Sequence, residues 1–91
     1  MKVIVKNDNN VVKFAENDST TITFTTDNIT IGDPAENVIL QLNSTNATVY
    51  ENVTDVPDDW VGNKYCYDGT TWTQNANWKN PDDYQHLFEN Q

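Results

Sequence analysis

The sequence predicts an all-β fold, mostly antiparallel, built as a small sandwich or open barrel with a short C-terminal helix. Three observations lead there. Short runs rich in Val, Ile, Thr, Tyr and Trp recur along the 91 residues and are separated by Asn-, Asp- and Gly-containing turns. Within these runs apolar and polar side chains alternate residue by residue, the spacing of a pleated strand. Helical spacing with capping residues occurs near the C-terminal end, after the third Trp.

The first two runs, residues 2–6 and 11–14, flank Asn7-Asp8-Asn9-Asn10, whose side chains favour turns and left-handed backbone, so an opening hairpin is expected. Residues 20–26 alternate with Ile22 and Phe24 on one face and Thr21, Thr23 and Thr25 on the other. After an Asp27-Asn28 turn, Ile29 and Ile31 repeat the pattern, and Gly32-Asp33-Pro34 ends it because proline lacks the N–H of a central ladder. Residues 38–42 form the most apolar run and are expected to be the central strand, with Val38, Leu40 and Leu42 on one side and Ile39 on the other. Asn43-Ser44-Thr45-Asn46 is a turn cluster. Residues 47–53 then resume an extended course, with Val49 and Val53 expected on one face.

Pro57-Asp58-Asp59 interrupts that course before Trp60. Tyr65-Cys66-Tyr67, the Asp68-Gly69 turn dipeptide and the run 70–73 follow, reading as an aromatic β-hairpin with both Tyr on one face and Cys66 on the other. Beyond Trp78, Asn80 is a good N-cap, Pro81 suits the first helical position, and Asp82 and Asp83 complement the dipole of the first turn. Tyr84, Leu87 and Phe88 then share one stripe of a helix expected over residues 81–89, too short to hold in water without packing on something. The organisation is one β-rich domain over 1–91. It comprises N-terminal strands (1–34), a core strand and aromatic hairpin (37–78), and a helix or tail (80–91).

Composition bounds the function. Apolar residues make up 36% of the chain, below the roughly 45–50% of ordinary globular domains, so burial against a partner would supply contacts that the domain lacks. Fourteen acidic residues face five lysines and no arginine, a formal charge of -9. That excludes nucleic-acid binding, which needs clustered cations for phosphates, and disfavours an anionic membrane surface. The opening residues carry no signal-peptide pattern, and no run approaches a membrane span. A single cysteine cannot form an internal disulfide, and Cys66 is expected to sit in the core as a small hydrophobe.

No catalytic constellation is expected. The neighbouring carboxylates Asp58-Asp59 and Asp82-Asp83 point apart in a strand and are explained by turn and cap chemistry, and Cys66 with His86 meet only if the tail folds back. One Cys and one His cannot make a structural zinc site, and no calcium-loop pattern occurs. Calcium on Asp58, Asp59 or Asp68 is an open alternative to plain loop aspartates, and no cofactor is expected. Trp60, Tyr65, Tyr67, Trp72 and Trp78, with Tyr84, Leu87 and Phe88 of the tail, are the candidate interface residues. Flat rings beside Asp and Asn suit sugar stacking, while in an aliphatic-poor domain the same rings serve a core or a protein interface.

The segment 37–78 resembles small proteins encoded among the structural genes of tailed bacteriophages. Asn37-Val38-Ile39 matches their Asn-Val-Ile strand, and Val53-Thr54-Asp55-Val56-Pro57-Asp58-Asp59 matches their Val-rich connector. Gly62-Asn63-Lys64-Tyr65-Cys66-Tyr67-Asp68-Gly69-Thr70-Thr71-Trp72-Thr73 matches their Gly-x-x-Tyr-x-Tyr-Asp-Gly-x-x-Trp-Thr cassette. Asn75-Ala76-Asn77-Trp78 is similar to an Asn-Pro-Asn-aromatic ending, with Ala76 in place of Pro. Residues 20–31 stand as an insertion relative to the shortest relatives, and 81–91 extend past the cassette. The resemblance implies a non-enzymatic virion protein made in the host cytoplasm, a capsid decoration or cement protein or a tail or fibre accessory. Its partners would be capsid or tail proteins and other copies of itself. Two competing expectations are a receptor- or glycan-binding module at a tail tip and a tail-fibre assembly chaperone.

Overall fold

The computed structural model describes residues 1–78, and the helix expected over 81–89 lies outside them. The described chain is all-β and antiparallel. Its strands are β1 (Lys2–Lys6), β2 (Val12–Glu16), β3 (Ile22–Phe24), β4 (Ile29–Ile31), β5 (Asn37–Ile39), β6 (Ala47–Tyr50), β7 (Tyr65–Tyr67) and β8 (Trp72–Gln74). They pair as two three-stranded sheets, β2-β1-β6 and β3-β4-β5, and the β7-β8 hairpin.

β1 is the organising strand. Val3, Ile4 and Val5 are all essentially sealed from solvent, yet neighbouring residues of a strand point to opposite faces. Both faces of the β2-β1-β6 sheet are therefore covered. Val3 and Val5 join Val12, Val53 and Tyr67 in one core, against which Tyr50, Val56, Trp60 and Trp72 pack. Ile4 joins Ile29, Ile31, Leu42 and Ala47 in a second core, with Phe14, Ile22, Phe24, Ile39 and Val49 around it. The β3-β4-β5 sheet thus lies on one face of the central sheet, and the hairpin with the 53–60 connector lies on the other.

A bulge in β2 makes this division possible. Ile4 opposes Phe14 while Val5 opposes Val12, leaving Lys13 as the extra residue. Without it Val12 and Phe14 would share a face; with it Val12 and Ala15 serve the first core and Phe14 the second. The opening hairpin closes as expected, with Asn10 left-handed at φ 60° and its N–H donating to the Lys6 carbonyl at 2.8 Å.

In the β3-β4-β5 sheet, register places Ile22, Ile31 and Asn37 in one row and Phe24, Ile29 and Ile39 in another on the inner side. Thr23, Thr30 and Val38 form the row between them on the outer side. Two expectations need correction here. The run 38–42 is not a central strand: β5 has three residues at a sheet edge, and a turn at Leu40 and Gln41 breaks the alternation. Leu42 is buried beyond that turn, whereas Val38 and Leu40 face outward. Val49 and Val53 do not share a face either, because β6 ends at Tyr50 and Asn52 turns left-handed at φ 58°, sending Val49 to one core and Val53 to the other.

Candidate interaction surface

The hairpin joins the central sheet beside the start of β2. Cys66 bridges Val11, the Tyr67 N–H donates to the Asn10 carbonyl at 2.9 Å, and the Asn63 N–H donates to the Val12 carbonyl at 3.1 Å. Its connection is longer than the Asp68-Gly69 dipeptide alone, running over residues 68–71 between paired Tyr67 and Trp72. Asp68 holds it by accepting the Thr70 and Thr71 N–H groups at 2.9 and 2.7 Å, and these bonds hold its carboxyl below the ordinary aspartate pKa. Gly69 adopts φ +99°, and a Cβ there would stand 3.0 Å from Tyr50 Cε1. The bare backbone lets the turn approach the Tyr50 ring.

Alternation along β7 sends Tyr67 inward, where it is 7% exposed. Its ring meets Tyr50 edge-on at 5.3 Å and lies tilted against Trp72 at 4.7 Å, and its hydroxyl donates to the Gly69 carbonyl at 3.0 Å. Burial, first of all, and then the carboxylates of Asp55 and Asp68 raise its pKa. Trp72 is half-buried and donates its indole N–H to Asp55 Oδ1 at 3.1 Å, while Trp60 is half-buried on the same core with a buried indole nitrogen that has no partner among the described residues.

Tyr65, which also meets the Trp72 ring edge-on at 6.2 Å, and Trp78 belong to a clasp around Lys64. Lys64 Nζ donates to Asp59 Oδ2 at 2.8 Å, the Tyr65 hydroxyl donates to Asp59 Oδ1 at 2.8 Å, and the ammonium lies 5.0 Å from the Trp78 ring centroid. The hydrogen bond from Lys64, followed by that from Tyr65, holds the Asp59 carboxyl below its usual range. The same bonds push Lys64 and Tyr65 up. Asp59 is thus committed to the hairpin, and Asp68 to its turn. Among the described residues no three His, Cys, Asp or Glu side chains gather as a metal-ligand set.

The five aromatic candidates therefore do not form one open platform. Tyr67 is core, Trp60 and Trp72 lean on it, and Tyr65 and Trp78 bracket Lys64; Tyr84, Leu87 and Phe88 lie outside the described residues. Cys66 is half-buried on the face away from Tyr67 and belongs to neither core, against the expectation of a core thiol, because strand alternation turns it from the buried ring.

Exposed apolar side chains occur elsewhere. Val38 is 47% and Leu40 76% exposed, on the edge strand β5 and the turn after it, and Val61 stands in the loop before the hairpin. The apolar run at 38–42 pointed to these residues but gave them the wrong role, since periodicity does not reveal which sheet face a neighbour covers. No protein-family model, curated protein or solved structure matches this chain.

Proposed function

We propose that this protein is a non-enzymatic structural component of a tailed-phage particle, a capsid decoration or cement protein or a tail or fibre accessory, acting by association with neighbouring virion proteins or with copies of itself. The observation that carries the association is the exposure of Val38 and Leu40 at the outer edge of the β3-β4-β5 sheet. In a chain this poor in apolar residues, leaving the most apolar run half in water is costly unless a neighbour covers it. An edge strand also offers unpaired backbone groups to a second chain. The phage setting rests on the cassette at 62–73 and the Asn-Val-Ile strand at 37–39.

Association is preferred over the glycan alternative because Tyr67 is buried and Trp60 and Trp72 spend part of their ring surface on the same core, leaving less open ring face for a stacked sugar. Mass spectrometry of purified particles tests the proposal. The chain is expected in stoichiometric amount; its absence from mature particles, with recovery on immature fibre protein, would instead identify an assembly chaperone.

A further inference from the structure

Against a formal charge of -9, two clefts contain no carboxylate in their lining. The first, of about 400 Å³, has Lys6, Lys13, Gln41 and Asn63 around an apolar floor of Phe14, Ile39 and Leu42. It opens between the Phe14 face of the central sheet and β5 with the connection that follows. The second is lined by Asn9, Asn75, Asn77 and Cys66, and it shares Lys13 and Asn63 with the first. The two meet where Lys13 Nζ donates to Asn63 Oδ1 at 2.8 Å, a bond created by the β2 bulge and the left-handed Asn63 at φ 73°. A third cleft, lined by Glu16, Asp33 and Glu36, shows the acidic character more typical of the chain.

We propose that the joined groove binds an extended peptide segment of a partner protein, with acidic side chains at Lys6 and Lys13 and a bulky apolar side chain on the Phe14, Ile39 and Leu42 floor. Charge complementarity sets the sign of the ligand. Lys13 meets only a neutral carboxamide among the described residues, and Lys6 has only exposed Asp8 at 3.7 Å, which a ligand carboxylate can displace in a surface pair worth little in water. Shape and chemistry favour peptide over sugar: no Trp or Tyr lines either cleft, while the Gln41 and Asn77 carboxamides are without side-chain hydrogen bonds among the described residues. Alongside, β2 has no strand partner on its outer edge from Phe14 to Glu16 among the described residues, so backbone pairing is available to an extended chain.

This inference rests on association as the protein's mode of action and supplies the partner's chemistry; it is tested apart from the particle, so its failure and the absence of the chain from virions are separate results. The experiment is a heteronuclear NMR titration of the full chain with a short blocked peptide alternating glutamate and leucine. A matched lysine-leucine peptide and an oligogalacturonate serve as the other arms. Expected are saturable shifts at Lys6, Lys13, Phe14, Ile39, Gln41 and Asn63 with the acidic peptide alone, weakened by salt. Lys13→Met and, independently, Lys6→Met are each expected to weaken binding about two- to fivefold, the scale of one lost solvent-exposed ion pair. Absence of shifts at millimolar peptide, equal binding of the lysine peptide, tighter binding of oligogalacturonate, or concentration-dependent shifts at these amides without any peptide would each overturn it. The last result would assign the groove to a second copy.

Discussion

Ile4 offers the sharpest test of a central sheet covered on both sides. It is fully buried among Ile29, Ile31, Leu42 and Ala47, whereas Val3 and Val5 of the same strand are buried in the other core. Replacing Ile4 by Ala removes three carbons, about 2.4 kcal/mol of transfer free energy at ~0.8 kcal/mol per buried group. The cavity left in a site closed on every side brings the expected loss to about 3–4 kcal/mol. Val3→Ala loses two carbons, and about 2–3 kcal/mol is expected from the opposite core. A domain of this length has a total stability of about 5–13 kcal/mol, so both variants should show clearly. Urea unfolding followed by Trp fluorescence reads the difference, and a slope of about 1 kcal/mol per molar converts the Ile4→Ala loss into a midpoint lowered by roughly 3 M. Ile4→Val, at about 1 kcal/mol, keeps the comparison usable should the alanine variant not fold. Val38→Ala is the exposed control, expected to change stability by no more than about 0.5 kcal/mol. If Ile4→Val and Ile4→Ala cost no more than Val38→Ala, the β3-β4-β5 sheet does not cover the inner face and the two-core architecture is wrong.

Gly69→Ala should destabilise by about 1–2 kcal/mol in the same assay, since it forces a side chain into φ +99° and against Tyr50; an unchanged midpoint would mean that the turn does not approach that ring. Asp68→Ala removes the acceptor of two turn amides and should cost about 1 kcal/mol, with faster hydrogen exchange at Thr70 and Thr71 as its local signature. The Asp59 clasp should make stability sensitive at both ends of the pH scale. Asp59 is depressed in the folded state, so its contribution is present above its unfolded pKa of about 3.9 and fades as pH falls through the lower folded value. Lys64 and Tyr65 are raised, so theirs are present below about 10.4 and 10 respectively and are lost as pH rises through the higher folded values. Asp59→Asn should return the Tyr65 hydroxyl toward the ordinary tyrosine range in an ultraviolet pH titration, and an unmoved Tyr65 would show that the carboxylate is not its partner.

Several elements of the fold were legible in the sequence. The opening turn needed left-handed backbone and had consecutive Asn residues to provide it, and Asn10 takes that conformation. Alternation at Ile22, Thr23 and Phe24 placed Thr23 in water and the apolar pair inside, because strand geometry alone decides which side chains share a face. Val3-Ile4-Val5 is a continuous apolar run, but so is Val38-Ile39-Leu40, and run length alone does not say which of the two is covered on both faces. The candidate groove was much less visible. Lys6, Lys13, Ile39, Leu42 and Asn63 are scattered over the chain, and no motif or spacing joins them.

Local backbone preference and periodicity in the sequence were enough to make the chain β-structured and to place its main turns. The expectation that the aromatics would be its main burial resource was not met, since Tyr67 is the one aromatic among the buried side chains of the described residues. Tertiary structure alone decided that β1, rather than the more apolar run at 38–42, takes the centre of the main sheet, and that Val38 and Leu40 are left outside. It also decided that a bulge at Lys13 divides one sheet between two cores and sets two lysines in a cleft without carboxylates. The physical reason is that strand pairing and packing are non-local: a residue's face is fixed by its own alternation, but what covers that face depends on segments more than half a chain away, as Tyr67 shares the core of Val3.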